Sequence, residues 1–342
     1  PISNFLWLPA DIVQYLFKEH QPPVAATALS LTCKTLFHFI FPTVAPNLKK
    51  DPSDRQDLQL LLEKDHGQAW WYCDGCSILH RIRRQGPTLE VLPFNIRRRL
   101  QIIWNRERLH HSRHWLEGTN FMLDYETVRL VMNRHFFGAP HGLPLDCFNV
   151  VVETCVWQPW RLFLPWVETW SARIIQDELF LSATRTINSS GWTDETFRTA
   201  LNREFRQLCG HVRTASSLPY TVLNALCPPP SASGGFFAPC EAVVESCRQC
   251  FTDYTTTIER RREDPKQQKV KPWFITITSY HQLGSGRSAT DIKFEVFGQW
   301  LPRAVGISVQ DMVAYPVGAV KAAWDSYRPT DRTAMGDGHV VI

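Results

Sequence analysis

The hydrophobic pattern changes period part-way along the chain, and this limits the fold more than any other feature. Early segments carry apolar residues at helical spacing: Ile12, Val13 and Leu16 in one, and Tyr125, Val128, Val131 and Met132 in another. From residue 148 to 187 the chain turns β-branched and aromatic, with stretches of alternation, as in FNVVVETCVW and WVETWSARIIQDELFLSATRTI. We read two or three strands there. DYTTTIERR and PWFITITSY repeat the pattern, and DIKFEVFGQW carries it less cleanly. The basic stretch REDPKQQKVK joins the first two of these as a hairpin with a long connection. A helical start followed by blocks of antiparallel strands predicts an α+β fold.

Prolines punctuate the helical start. Pro9 suits the first turn of a helix, where N–H groups are to spare, and Gln21-Pro22-Pro23 ends that helix. Ala25 to Leu31 forms a second helix. Thr32 is placed to cap a third, running through Cys33, Leu36, Phe37 and Ile40, with Pro42, Pro46 and Pro52 marking its exit. Asp54 is placed to cap a helix that buries Leu58, Leu61 and Leu62. Gly138 and Pro140 end the helix of Val128, and Asp194 to Leu208 returns to helix. Pro228-Pro229-Pro230 with SASGG reads as a loop, and RPTDRTAMGDGHVVI as a frayed tail. The expected organisation is a three-helix unit at 1–45, a connecting helix at 46–65, an α+β domain at 66–328 and a tail at 329–342. Three short helices bury little apolar surface alone, so the first unit needs a partner or the rest of the chain.

Ten cysteines in 342 residues fall well short of a disulfide scaffold. Two pairs share C-x-x-C spacing, Cys73/Cys76 in WYCDGCSILHR and Cys247/Cys250 in CRQC. Such pairs can bind metal, exchange disulfides or sit reduced in a core. Four thiolates suit one tetrahedral zinc, so Cys73, Cys76, Cys247 and Cys250 are expected to form one structural site. That site would staple the start of the second domain to its C-terminal hairpin. His80, or Cys209 with His211, could replace a cysteine. His110, His111 and His114 crowd an expected helix and are read as exposed, since they lack a third ligand and an HExxH motif. GSGRS lacks the Gly-Lys-Ser/Thr ending of a phosphate loop and reads as a turn. Asp177 and Glu178 alternate across a strand-like run, which makes them poor acid–base partners. No catalytic constellation stands out, and a non-enzyme is expected.

The net charge of +4, from 37 basic and 33 acidic residues, is too mild to mark a nucleic-acid binder. Arginines cluster at Arg81/Arg83/Arg84, Arg97–Arg99 and Arg260–Arg262. No apolar run approaches the roughly 18 residues that span a bilayer. A soluble protein of the cytoplasm or nucleus is expected.

Leu8-Pro9-Ala10-Asp11-Ile12, with Leu29-Ser30-Leu31-Thr32-Cys33-Lys34 and Leu36, resembles an F-box. The order of LLEKD, WYCDGCSILHR, RLVMNRHFFGAPHGLPLD, DELFLSATRTI and CRQCFTDY behind it is similar to a group of fungal F-box-domain proteins. The resemblance implies docking on the Skp adaptor of a cullin–RING ubiquitin ligase and delivery of a protein target for ubiquitination. By position, the implied contacts are Leu8, Pro9, Ile12, Leu16, Leu31, Cys33 and Leu36. The competing expectation is a zinc-stabilised protein that binds nucleic acid through its arginine clusters, outside any ligase.

Overall fold

A computed structural model describes residues 9–19, 21–48, 51–74, 76–82, 113–115, 122–154, 166–203, 206–212, 237, 239–260, 272–297 and 315–327. The fold is α+β, as the change of period predicts. The chain divides into two compact units, one within residues 1–85 and 129–143, the other within 86–128 and 144–342.

The first unit opens with α1 (Ala10–Glu19), α2 (Pro23–Ser30) and α3 (Lys34–Leu48). Their shared core is Phe17, Ala26, Leu36, Ile40 and Val44. Thr32 does not cap α3: its hydroxyl donates to the Leu29 carbonyl (2.7 Å), closing the end of α2. Pro42 and Pro46 do not end α3 but lie inside it. Leu36, Ile40, Val44 and Leu48 recur every fourth residue on its buried side, while both prolines are exposed. The carbonyls left without an amide partner therefore face water, and apolar burial outweighs the poor propensity.

Helix α4 (Pro52–His66) is capped by Asp51, whose carboxylate accepts from Ser53 N (2.8 Å); Asp54 sits inside the first turn. Leu58 is buried as expected, but Leu61 is 40% exposed. The buried place near the helix end goes to Glu63. Its carboxylate accepts from Arg129 Nε (3.1 Å), Asn133 Nδ2 (2.7 Å) and Tyr72 N (3.0 Å). Strands β1 (Trp70–Cys73) and β2 (Ile78–Arg81) follow as a hairpin packed on α4. The helical unit thus extends past the expected 1–45 and takes in the first C-x-x-C pair, because α2 packs on α4 and Glu63 ties α4 to β1.

In the second unit β3 (Arg113–Trp115) pairs with β4 (Met122–Asp124). His114 is therefore in a strand rather than a helix, and His110 and His111 lie outside the described residues. Helix α5 (Tyr125–Phe137) buries Tyr125, Val128, Val131 and Met132 and ends at Gly138, whose φ of +93° suits glycine.

The main sheet is antiparallel with order β5-β6-β7-β10-β9-β8. Its strands are β5 (Val150–Thr154), β6 (Trp166–Ile175), β7 (Glu178–Asn188), β8 (Cys240–Ser246), β9 (Thr252–Arg260) and β10 (Trp273–Gly284). Two consecutive meanders lie side by side, joined where β7 pairs with β10. Gln176 and Asp177 turn β6 into β7 with φ of 50° and 61°, the mirror-image turn that matches strand twist. Asp177 is thus a turn residue rather than a strand residue. Helix α6 (Asp194–Arg203) is shorter than expected, since Leu208 N donates to Val212 O (2.8 Å) and the chain there turns tightly. GSGRS turns the chain after β10. DIKFEVFGQW enters not a strand but α7 (Ile292–Glu295), capped by Asp291. Helix α8 (Ala319–Ser326) packs Val320 and Trp324 against Phe180. Pro228–Pro230 and the expected tail lie outside the described residues.

Candidate metal centre

The β8–β9 turn is closed by two backbone bonds, Cys247 N to Thr252 O (2.8 Å) and Thr252 N to Cys250 O (2.9 Å). Gln249 N donates to Cys247 Sγ (3.4 Å). The turn that closes at Leu208 and Val212 supplies two more donors, Cys209 and His211. The four donor atoms of Cys209, His211, Cys247 and Cys250 all lie within 4.8 Å of one another. A tetrahedron with Zn–S bonds of about 2.3 Å has edges of about 3.8 Å, so small side-chain rotations close this set on an ion. The group could hold a metal.

The electrostatics suit a cation. Burial pushes the Cys209 and Cys250 thiols up, while hydrogen bonds from those two hold Cys247 well below the usual thiol range. Three thiols this close, two of them buried, cannot all ionise by themselves. A divalent ion among them would release their protons and take the sulfurs as ligands.

Cys73 and Cys76 belong to a second group, with His80. The expected four-thiolate site is therefore corrected: each C-x-x-C turn gathers donors from its own surroundings. His80, and Cys209 with His211, are the residues that join them. The second group could also hold a metal.

A line of buried polar groups leads away from the first group. The Cys250 thiol donates to Thr252 Oγ1 (3.2 Å), and Thr252 Oγ1 bonds His281 Nδ1 (3.0 Å). His281 Nε2 bonds Ser279 Oγ (2.9 Å), which accepts from Arg185 Nη1 (3.0 Å). Arg185 Nε donates to Glu168 (3.2 Å), and both side chains of that pair are fully buried. Register explains the alignment. Glu168 pairs with Arg185, Arg185 with Ile277 and His281 with Thr252, so these residues share one face of the sheet. Burial and Arg185 hold His281 neutral, its pKa lowered to about 3. No motif or spacing in the sequence links these residues, but strand β10 carries a signal. In β10 the inward positions read Trp273, Ile275, Ile277, Ser279, His281 and Leu283, and two polar residues interrupt an apolar alternation.

The remaining candidates are engaged elsewhere. Glu178 accepts from Lys293 Nζ (2.6 Å) and from Gln282. Arg260 pairs with Asp194 (2.7 Å) and lies over the Trp273 ring, so it is not a bare basic surface. Cys147 is pushed up to about 12 by burial and by Asp124 and Asp146. Among the described residues no cysteine forms a disulfide, and no helix is long and apolar enough to cross a membrane.

Of the implied adaptor contacts, Ile12 and Leu31 are 44% and 40% exposed, Pro9 and Cys33 are exposed, and Leu16 is half-buried. Leu36 is buried in the helical core, so packing takes the side chain expected at the surface. Leu8 lies outside the described residues. Comparison with protein-family models, with curated proteins and with solved structures gave no match.

Proposed function

We propose that the chain is a non-catalytic adaptor. In this reading α1–α3 dock on a Skp-type subunit of a cullin-based ubiquitin ligase, and the sheet-bearing unit binds a protein target. The reading rests on one observation. In a segment with the F-box pattern, Ile12 and Leu31 are exposed to solvent, as are Tyr15, Leu29 and Phe37. Leaving that much apolar surface wet on so small a helical unit is unfavourable, and an apolar groove on a partner would relieve it.

We assign structural zinc to Cys209, His211, Cys247 and Cys250. Three thiolates and one imidazole fill a tetrahedral shell and leave no position for substrate. The role of such an ion is to pin the β8–β9 turn to the loop that carries Cys209. Thr252 would then turn its hydroxyl towards the Cys250 sulfur and steady it.

The test is co-purification of the full chain with a Skp adaptor. Ile12→Asp with Leu31→Asp should cut capture at least about tenfold, since each would place a charge in an apolar contact. Both positions are exposed, so the helical circular dichroism should survive. Failure of the unaltered chain to bind, where a known F-box protein binds in parallel, would sink the reading.

A further inference from the structure

We propose that the β1–β2 hairpin is a second zinc site, with three protein ligands and a fourth position open to an outside donor. This goes beyond the adaptor reading and does not depend on it.

The three donors are Cys73, Cys76 and His80, all within 4.8 Å of one another. The register pairs Cys73 with Ile78 and Trp71 with His80, so all four side chains share one face of the hairpin. Cys73 and His80 are then diagonal neighbours, and the turn brings Cys76 back over them. Ser77 N donates to Cys73 O (2.8 Å), and Ser77 itself has φ of 52°. A non-glycine residue in that region costs about 1 kcal/mol or more, and here the cost goes into a turn that gathers two sulfurs.

The hairpin is also anchored from outside. The Glu63 carboxylate accepts from the amide of Tyr72, the residue beside Cys73, and is itself fixed by Arg129 and Asn133. The His80 ring lies against Trp71, with centroids 5.4 Å apart. Neighbours thus position two of the three ligands before any ion arrives.

Among the described residues no fourth His, Cys, Asp or Glu joins this group. An ion held by these three alone, two thiolates and one imidazole, would be a neutral complex with one open position, the arrangement of zinc sites that keep a water. Cys76 and His80 are half-buried and Cys73 is buried, so the group lies just beneath the surface of the hairpin. The water would exchange for another neutral nitrogen donor, and imidazole is the simplest probe. The Cys209 group already has four ligands and should not respond.

The test uses cobalt, which reports coordination through its visible spectrum. The full chain, stripped and reloaded, should bind two Co²⁺ per chain, and imidazole should shift part of the ligand-field band. Cys76→Ser should bind one and lose the imidazole response, whereas Cys247→Ser should keep it. His80→Cys restores a third soft ligand, so it should bind two and gain thiolate-to-cobalt absorbance; it remains informative if Cys76→Ser fails to fold. One cobalt in the unaltered chain that Cys76→Ser still binds overturns the proposal. So does an imidazole response that is absent from the start, or one that survives Cys76→Ser. Capture by a Skp adaptor is read separately, so failure of one reading leaves the other visible.

Discussion

His281 lies between two hydroxyls in the sheet interior, and its neutrality has a consequence for acid stability. An unfolded histidine titrates near 6.5, whereas the folded one resists protonation to about 3. Below pH 6.5 the unfolded chain gains a proton that the folded chain refuses. Stability therefore falls from pH 6.5 down to about 3, with a limiting slope of about 1.4 kcal/mol per pH unit from this group. His281→Gln keeps a donor and an acceptor but does not titrate. Its unfolding free energy in urea should fall less steeply over that window than that of the unaltered chain. Equal slopes would mean that His281 is protonated in the folded protein. At this scale the sequence was half legible. The C-x-x-C spacing is local, so both turns could be found by eye. Cys209 and His211 are near in space but not in sequence to Cys247, and no spacing rule connects them.

Single helices show where local rules give way to neighbours. Helix α3 was expected to stop at Pro42 and instead runs through two prolines, because its buried side keeps a four-residue repeat. Helix α8 has no side-chain cap of its own at Gly318. Asp253 on β9 supplies it, accepting from Gly318 N (3.3 Å) and Lys321 N (2.9 Å). No capping signature in the α8 sequence could reveal a carboxylate that comes from another strand. Asp253→Ala should cost about 1–2 kcal/mol, the range for a lost cap. It should also red-shift tryptophan emission as Trp324 loosens from the sheet, since Trp324 packs beside Phe180. An unchanged urea midpoint would show that α8 docks without this cap.

At the scale of the whole molecule, the change of hydrophobic period predicted the class of fold, and the β7, β9 and β10 segments were legible from their β-branched alternation. The division into units was not. The expected boundary near residue 66 cut between α4 and β1, which a buried carboxylate joins. Strand order was hidden for the same reason: it is set by contacts between distant stretches. Each meander of the main sheet pairs strands that follow one another, but Asn188 meets Phe274 only across a long excursion of chain. That seam bears on time rather than on energy. The halves can form by local search, while their joint must wait for distant segments to collide, which makes such sheets slow to fold. Ile277→Val, on the seam strand opposite Arg185, should destabilise by about 0.5–1.5 kcal/mol. If the seam is the bottleneck, stopped-flow refolding should slow and unfolding should hardly change. The opposite pattern would place seam closure after the barrier. On the first outcome, a sheet joined along one central line carries its slowest moment in its middle, between two halves that are each quick to assemble.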